Sequence, residues 1–157
     1  MLAIQGIGYL VRKGIAMASV SLDINQYQAP PKPPSTSTDI VYHIDIEQTA
    51  AGLSSTHERR CIDGEWRDHQ DWLFGEVKGR TWWTGVDGID DEFLRQGWEA
   101  DAGELLVSHV ESKGNGWTAR QVWGFQVIDG VRRYARNVVV TKGSERAAIR
   151  LVYNWVG

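Results

Sequence analysis

The residues best placed to do chemistry flank a two-residue turn, Asp129-Gly130, between Thr118–Ile128 and Val131–Thr141. Asp-Gly between two alternating segments is a strong signal for a tight antiparallel hairpin. With Ile128 opposite Val131, Phe125 faces Tyr134, Trp123 faces Arg136 and Val127 faces Arg132. Directly opposed residues project from the same side of the sheet, so these pairs form one aromatic face with guanidinium groups embedded in it. Arg136 there could pair with a carboxylate, an enol or a carbonyl, and Tyr134 would be a second polarising donor. The competing reading is a packed core in which Arg136 stacks on Trp123 and reaches solvent at the rim. The opposite face, Gln126 with Arg133, Gly124 with Ala135 and Val122 with Asn137, is small and polar.

A second candidate is Thr56-His57-Glu58-Arg59-Arg60. On a strand His57 and Arg59 share one side, and Glu58 and Arg60 the other. An inward His57 could serve as a general acid or base or as a proton shuttle. The plainer reading is a solvated strand with cross-strand ion pairs. His43, Asp45 and His57 could approach one another as metal ligands, but no paired-Cys or HExxH spacing supports a metal site. His109, on the same side as Leu105 and Val107, reads as a core-edge histidine. Cys61 reads as buried rather than nucleophilic. Gly6-Ile7-Gly8 lacks the third glycine and the preceding strand of a dinucleotide site, and there is no GxSxG or P-loop. Chemistry without a cofactor is therefore expected.

The elements that must position these residues are short strands. The 157 residues hold eight Trp, five Tyr and three Phe, with 17 Gly and four Pro, all four within Pro30–Pro34. That length suits one domain, large enough to fold without disulfides. Alternation or turn signals place strands at 40–48, 54–62, 73–84, 105–111, 118–128, 131–141 and 147–156. Asp90–Gln96 is the one expected helical turn, with Asp90 as its cap and Gly97 ending it. Many strands with a single short helix point to an all-β, antiparallel, up-and-down lipocalin-like barrel spanning 40–157. Trp82, Trp98, Tyr42 and Tyr153 are expected to join Trp123 and Phe125 in lining its interior as substrate-binding residues.

Residues 1–39 read as an irregular arm ending in a Pro/Ser/Thr-rich linker at 28–38. Apolar residues precede Arg12-Lys13, the wrong order for a secretory signal. An organellar targeting peptide and a start at Met17 are the alternatives to a loosely held arm. Net charge is −3 with both signs interleaved, which argues against nucleic acid as a partner. No apolar run reaches the roughly 20 residues of a membrane span. The lone Cys61 favours a reducing compartment, so a cytoplasmic location is expected. The oligomeric state stays open, a homodimer included.

Two stretches carry a resemblance. Asp71-Trp72-Leu73-Phe74-Gly75-Glu76-Val77-Lys78-Gly79-Arg80 and Gly116 through Val140, with the terminal RLVYNWV, resemble a family of small fungal proteins described as lipocalin-like. The resemblance covers roughly 40–157 and implies a small β-barrel. Barrel proteins of this general kind occur in fungal natural-product pathways as cofactor-free cyclases, isomerases and pericyclases. The resemblance carries no catalytic motif to particular positions. Two functions follow as expectations. The first is a cofactor-independent enzyme that folds an apolar natural-product intermediate inside the barrel. The alternative is a non-catalytic carrier or sensor of a hydrophobic small molecule in the same cup.

Overall fold

The computed structural model describes residues 1–8, 19–50 and 55–156, apart from the side chain of Asp71. Among these residues the chain forms β1 (Val20–Ala29), β2 (Val41–Ala50), β3 (Thr56–Cys61), β4 (Arg67–Asp71), β5 (Gly75–Thr84), β6 (Leu105–Ser112), β7 (Thr118–Ile128), β8 (Val131–Lys142) and β9 (Glu145–Tyr153). The strands form two antiparallel sheets, β1-β2-β3 and β4-β5-β6-β7-β8-β9, each in chain order. This is the meander predicted from the turn spacing. No helix among the described residues is long and apolar enough to cross a membrane.

The closed barrel does not form. The ladder is interrupted between β3 and β4, and β1 and β9 are edges of different sheets. Among the described residues, a parallel bridge, Ile62 to Thr81, and a backbone hydrogen bond, Gly64 N–H to the Thr81 carbonyl, link the two sheets near this point. The physical reason lies in the corner after β3. Asp63 accepts from the Glu65 N–H at 3.0 Å and pairs with Arg67 at 2.7 Å. Arg67 also donates to the carbonyls of Lys32 and Pro33. The corner turns the chain out of the first sheet and starts β4 as an edge strand of the second. Arg-Asp-His-Gln-Asp is a charged sequence of the kind that blunts an edge.

The arm is also corrected. Val20–Ala29 pairs along its whole length with β2, from Val20 opposite Ala50 to Ala29 opposite Val41. Its Val20, Leu22 and Ile24 alternate with polar residues and extend the apolar side of β2. Met1–Ile7 forms a hydrogen-bonded turn with Gln5 and Ile7 buried. Residues 9–18, and Met17 with them, lie outside the described residues, as does Ser54 at the start of the expected second strand.

The expected helix at 90–96 is instead a tight turn, preceded by a short 3₁₀ turn at Val86–Gly88. Asp91 rather than Asp90 caps it, accepting from the N–H groups of Phe93 and Leu94. Gly97, with φ +84°, takes the left-handed conformation that ends it.

Three apolar clusters hold the layers. Ile44, Ile46 and Ile62 meet Leu106 and Trp123 between the sheets. At the other end of the same face Val77, Trp117, Ala119, Val138 and Val140 pack together. On the outer face, the 85–104 segment lays Ile89 and Leu94 over Leu105, Val107, Val122 and Val139. Consecutive apolar residues, Leu105-Leu106-Val107 and Val138-Val139-Val140, are therefore buried from both sides, as continuous apolar runs require. Fully burying each such side chain is worth about 1.5–3 kcal/mol.

Candidate functional site

The hairpin register follows the sequence reading pair for pair: Phe125 opposite Tyr134, Trp123 opposite Arg136 and Val127 opposite Arg132. Asp129 and Gly130 both have positive φ, 52° and 77°, as a tight primed turn demands. β6 and β9 extend the register, adding Leu106 beside Trp123 and Leu151 beside Arg136. This face looks across at β3, whose Glu58 and Arg60 lie on the same side as Ile46 and Ile44.

Between the sheets lies a cavity of about 500 Å³. One end is apolar, lined by Val138, Val140, Ala119 and Trp117, with Phe74 set edge-on to Trp117 at 5.8 Å. Met1, Leu2 and Gln5 of the N-terminal turn form part of its wall. The other end is charged, lined by Glu58, Arg60, Arg136, Gln121 and Tyr153. Trp72, in the turn between β4 and β5, donates its indole N–H to the Ser55 carbonyl at 3.1 Å, bridging the sheets at one rim.

Arg136 is the centre of the charged end. It is 3% exposed, its guanidinium lies 4.0 Å from the centre of the Trp123 ring, and its Nε donates to the Tyr134 hydroxyl at 3.0 Å. Its Nη2 stands 3.7 Å from Glu58 Oε2, close enough for charge pairing and too far for a hydrogen bond. Neither atom has a hydrogen-bond partner among the described residues. Arg60 approaches the other Glu58 oxygen at 3.6 Å and sits 5.7 Å from the same Trp123 ring.

Burial alone would raise the Glu58 pKa, but Arg136 and Arg60 together hold it below the ordinary 4.5. Burial works against the Arg136 cation too, yet Glu58 and the two tyrosines keep its pKa above the usual value. Tyr134 and Tyr153 are pushed up by burial, so both remain neutral phenols. The charged end therefore offers a fixed cation with an unused N–H, a carboxylate beside it, and neutral hydroxyl groups.

The structure brings Arg136, Tyr134, Trp123 and Tyr153 together. Tyr153 lines the cavity, with its ring 5.5 Å from that of Tyr134. Tyr134 and Trp123 stand behind Arg136 as its hydroxyl partner and its stacking floor. His57 is exposed at the cavity edge, paired across the strands with Glu47 and 3.4 Å from the Ser55 hydroxyl. Phe125 shares the face but sits at the rim, 42% exposed beneath Arg132 at 4.0 Å. Tyr42 is half-exposed and meets Trp83 edge-on rather than the cavity.

Trp82 packs under the 85–104 segment, which itself contributes Trp98, on the opposite face of the large sheet. Gly124 makes room there, since a Cβ at that position would stand 3.2 Å from the Trp98 ring. His43 is buried, stacked on Tyr27 and 3.1 Å from the Pro30 carbonyl. Asp45 faces Arg59, so these two do not form a ligand cluster with His57.

Glu58 and Arg60 were not singled out by sequence reasoning, although their shared strand side was legible. What the sequence lacked was the packing of β3 across the large sheet, which decides which side of that strand faces inward. The N-terminal wall was missed for a related reason: Met1–Gly8 has no period-2 pattern, and its place is set by contact with a distant loop.

No known protein-family profile matches the chain, and no solved structure matches it. Two curated proteins do, along the whole chain. One, "Probable pericyclase scpY" from Mollisia scopiformis, is 29% identical and is covered over 81% of its length. The other, "Pericyclase pydY" from an Acremonium species, is 28% identical and is covered over 83%. The chain is thus similar from end to end to fungal proteins named as pericyclases.

Proposed function

We propose that the chain is a cofactor-independent enzyme of the cyclase, isomerase or pericyclase type, acting on an apolar natural-product intermediate held between the two sheets. The observation that carries this reading is the unused Arg136 N–H beside Glu58 at the end of an apolar cavity of about 500 Å³. The end-to-end similarity to two proteins named as pericyclases supports it.

A pericyclic step gains and loses no atoms, because bonds form and break in one cycle within the substrate. The protein's part is to hold the reactive conformer and to polarise it. Val138, Val140 and Leu151 supply the surface against which a flexible chain folds. Arg136 donates to a carbonyl conjugated with the reacting π-system and draws electron density toward it. Trp123 below, Tyr134 at Nε and Glu58 at Nη2 fix the guanidinium before the substrate arrives. His57 stands exposed at the cavity edge, outside this constellation.

The test is incubation with linear polyene precursors bearing a conjugated carbonyl, followed by chromatography with mass spectrometry. The expected result is a product of unchanged mass and altered retention, formed at least tenfold more slowly by Arg136→Gln. Saturable binding with every ligand recovered unaltered would support the carrier reading instead.

A further inference from the structure

The apolar end of the cavity holds two polar atoms that the proposed chemistry does not use. Trp117 is 2% exposed and Gln5 is 6% exposed, and both line the cavity. The Trp117 indole N–H and the Gln5 side-chain carbonyl have no hydrogen-bond partner among the described residues. One is a donor without lone pairs to offer; the other is an acceptor. Leaving such groups unpaired in an apolar site is costly, so a pair of opposite polarity marks a place where a bound group completes them. Phe74, Val138 and Val140, which line the same end, are apolar.

We infer that this end is a second recognition subsite, which takes a neutral group carrying both an acceptor and a donor, a hydroxyl or a secondary amide. The inference rests on the cavity reading above and adds the shape of the ligand. The ligand is polar at both ends, with an anionic or carbonyl oxygen on Arg136, a neutral donor–acceptor group on Trp117 and Gln5, and an apolar middle. Spacing along the sheet fits a ligand of moderate length. Trp117 precedes Trp123, the partner of Arg136, by six residues on the same chain run. That separates the two backbone positions by roughly 20 Å at about 3.3 Å per residue. Both side chains project from the same face, so a probe that joins the two ends must be a long one, of about 12 carbons.

The subsite also gives the N-terminal turn a role. Gln5 enters the cavity because Met1–Ile7 closes on itself through hydrogen bonds from Ile4, Gln5 and Ile7 to the carbonyls of Met1 and Leu2. Met1 and Ile4 then pack on the cluster that contains Trp117. The turn reads the ligand as well as closing the wall.

The experiment is calorimetric titration of the full chain with dodecanoate and with 12-hydroxydodecanoate. The hydroxyl makes the second acid the more hydrophilic of the two, so simple partitioning predicts that it binds more weakly. The subsite predicts the reverse, a five- to tenfold preference for the hydroxy acid, since a satisfied site hydrogen bond discriminates about this strongly. Gln5→Leu is expected to abolish the preference while leaving dodecanoate affinity within about twofold. Trp117→Phe, should it fold, is expected to do the same. Both acids binding with no preference for the hydroxy acid, or with a preference that Gln5→Leu leaves unchanged, would overturn the subsite and leave the cavity reading standing. Failure of both acids to bind the parent would count against the cavity itself, and the subsite would fall with it.

Discussion

At the scale of the residue, Arg136 and Glu58 explain each other. Arg136 is buried by the register that puts Trp123 opposite it, and a guanidinium so placed needs a counter-charge. Glu58 supplies it from the other sheet at 3.7 Å. Arg136→Met takes from Glu58 the larger of its two arginine charges and leaves Arg60, and the cost is expected to be about 3 kcal/mol at neutral pH by urea unfolding. Adding Glu58→Gln should recover most of that loss, because the stranded charge is gone, while turnover stays at least tenfold slower in both variants. The pH dependence has a definite sign. Glu58 is held below its ordinary value of 4.5 in the folded parent, so its contribution is present above that value and fades as pH falls through the lowered one. The stability gap between parent and Arg136→Met should therefore be widest near neutrality and narrow as pH falls below the ordinary 4.5. A gap independent of pH would mean that the arginine stabilises by stacking alone.

The hairpin shows how much a sequence can say about single residues. Asp129-Gly130 fixes the turn, the turn fixes the register, and the register alone places Trp123 beside Arg136. Nothing comparable existed for Glu58, since its strand faces both solvent and cavity with polar residues on each side. Alternation without apolar contrast carries no direction.

At the scale of the element, local pattern was a sound guide where apolar contrast was strong and a poor one where tertiary contact decides. β7 and β8 lie where alternation and turns placed them. β4 has no apolar residue among Arg-Asp-His-Gln-Asp, and pairing with β5 alone makes it a strand. β1 alternates Val20, Leu22 and Ile24 on one side, but with the proline cluster beside it the segment was read as part of the irregular arm that ends in the linker.

The 91–97 turn shows the same rule on the outer face. Asp91 accepts two backbone N–H groups and pairs with Arg146 of β9 at 2.9 Å, so a single carboxylate closes the turn and ties it to the sheet. Asn137 and Gln126 secure the far end by donating to the Gln96 carbonyl. Asp91→Ala is expected to lower stability by about 1 kcal/mol, the usual cost of a lost cap, read by denaturant unfolding. Ligand affinity should be unchanged, because the turn packs on the face away from the cavity. A loss of affinity larger than the loss of stability would show that the two faces are coupled.

At the scale of the whole molecule, the difference between a closed barrel and two facing sheets decides where a ligand sits. A small closed barrel fills its interior with side chains unless it is wide enough to hold a cup. Here the corner at Asp63-Gly64 diverts β4, the two sheets do not continue into one another, and the space between them becomes the cavity. Composition pointed to an aromatic interior, yet the tryptophans divide between the two faces of the large sheet. Trp123 and Trp117 serve the cavity side, whereas Trp82 and Trp98 stabilise the outer layer. Counting rings could not have separated them, because the side a ring takes depends on strand parity and on which segment folds over it.

The central claim is that an apolar ligand lies between the sheets with its polar head on Arg136. The most direct measurement is photo-crosslinking with a 12-carbon carboxylic acid bearing a mid-chain diazirine, followed by peptide mapping. The expected result is saturable labelling within Ala119–Gln121 and Val138–Val140, competed by dodecanoate and weakened several-fold in Arg136→Gln. Labelling confined to the outer face around Trp98 or Ile149, or to the exposed hairpin tip around Val127 and Val131, would contradict the account.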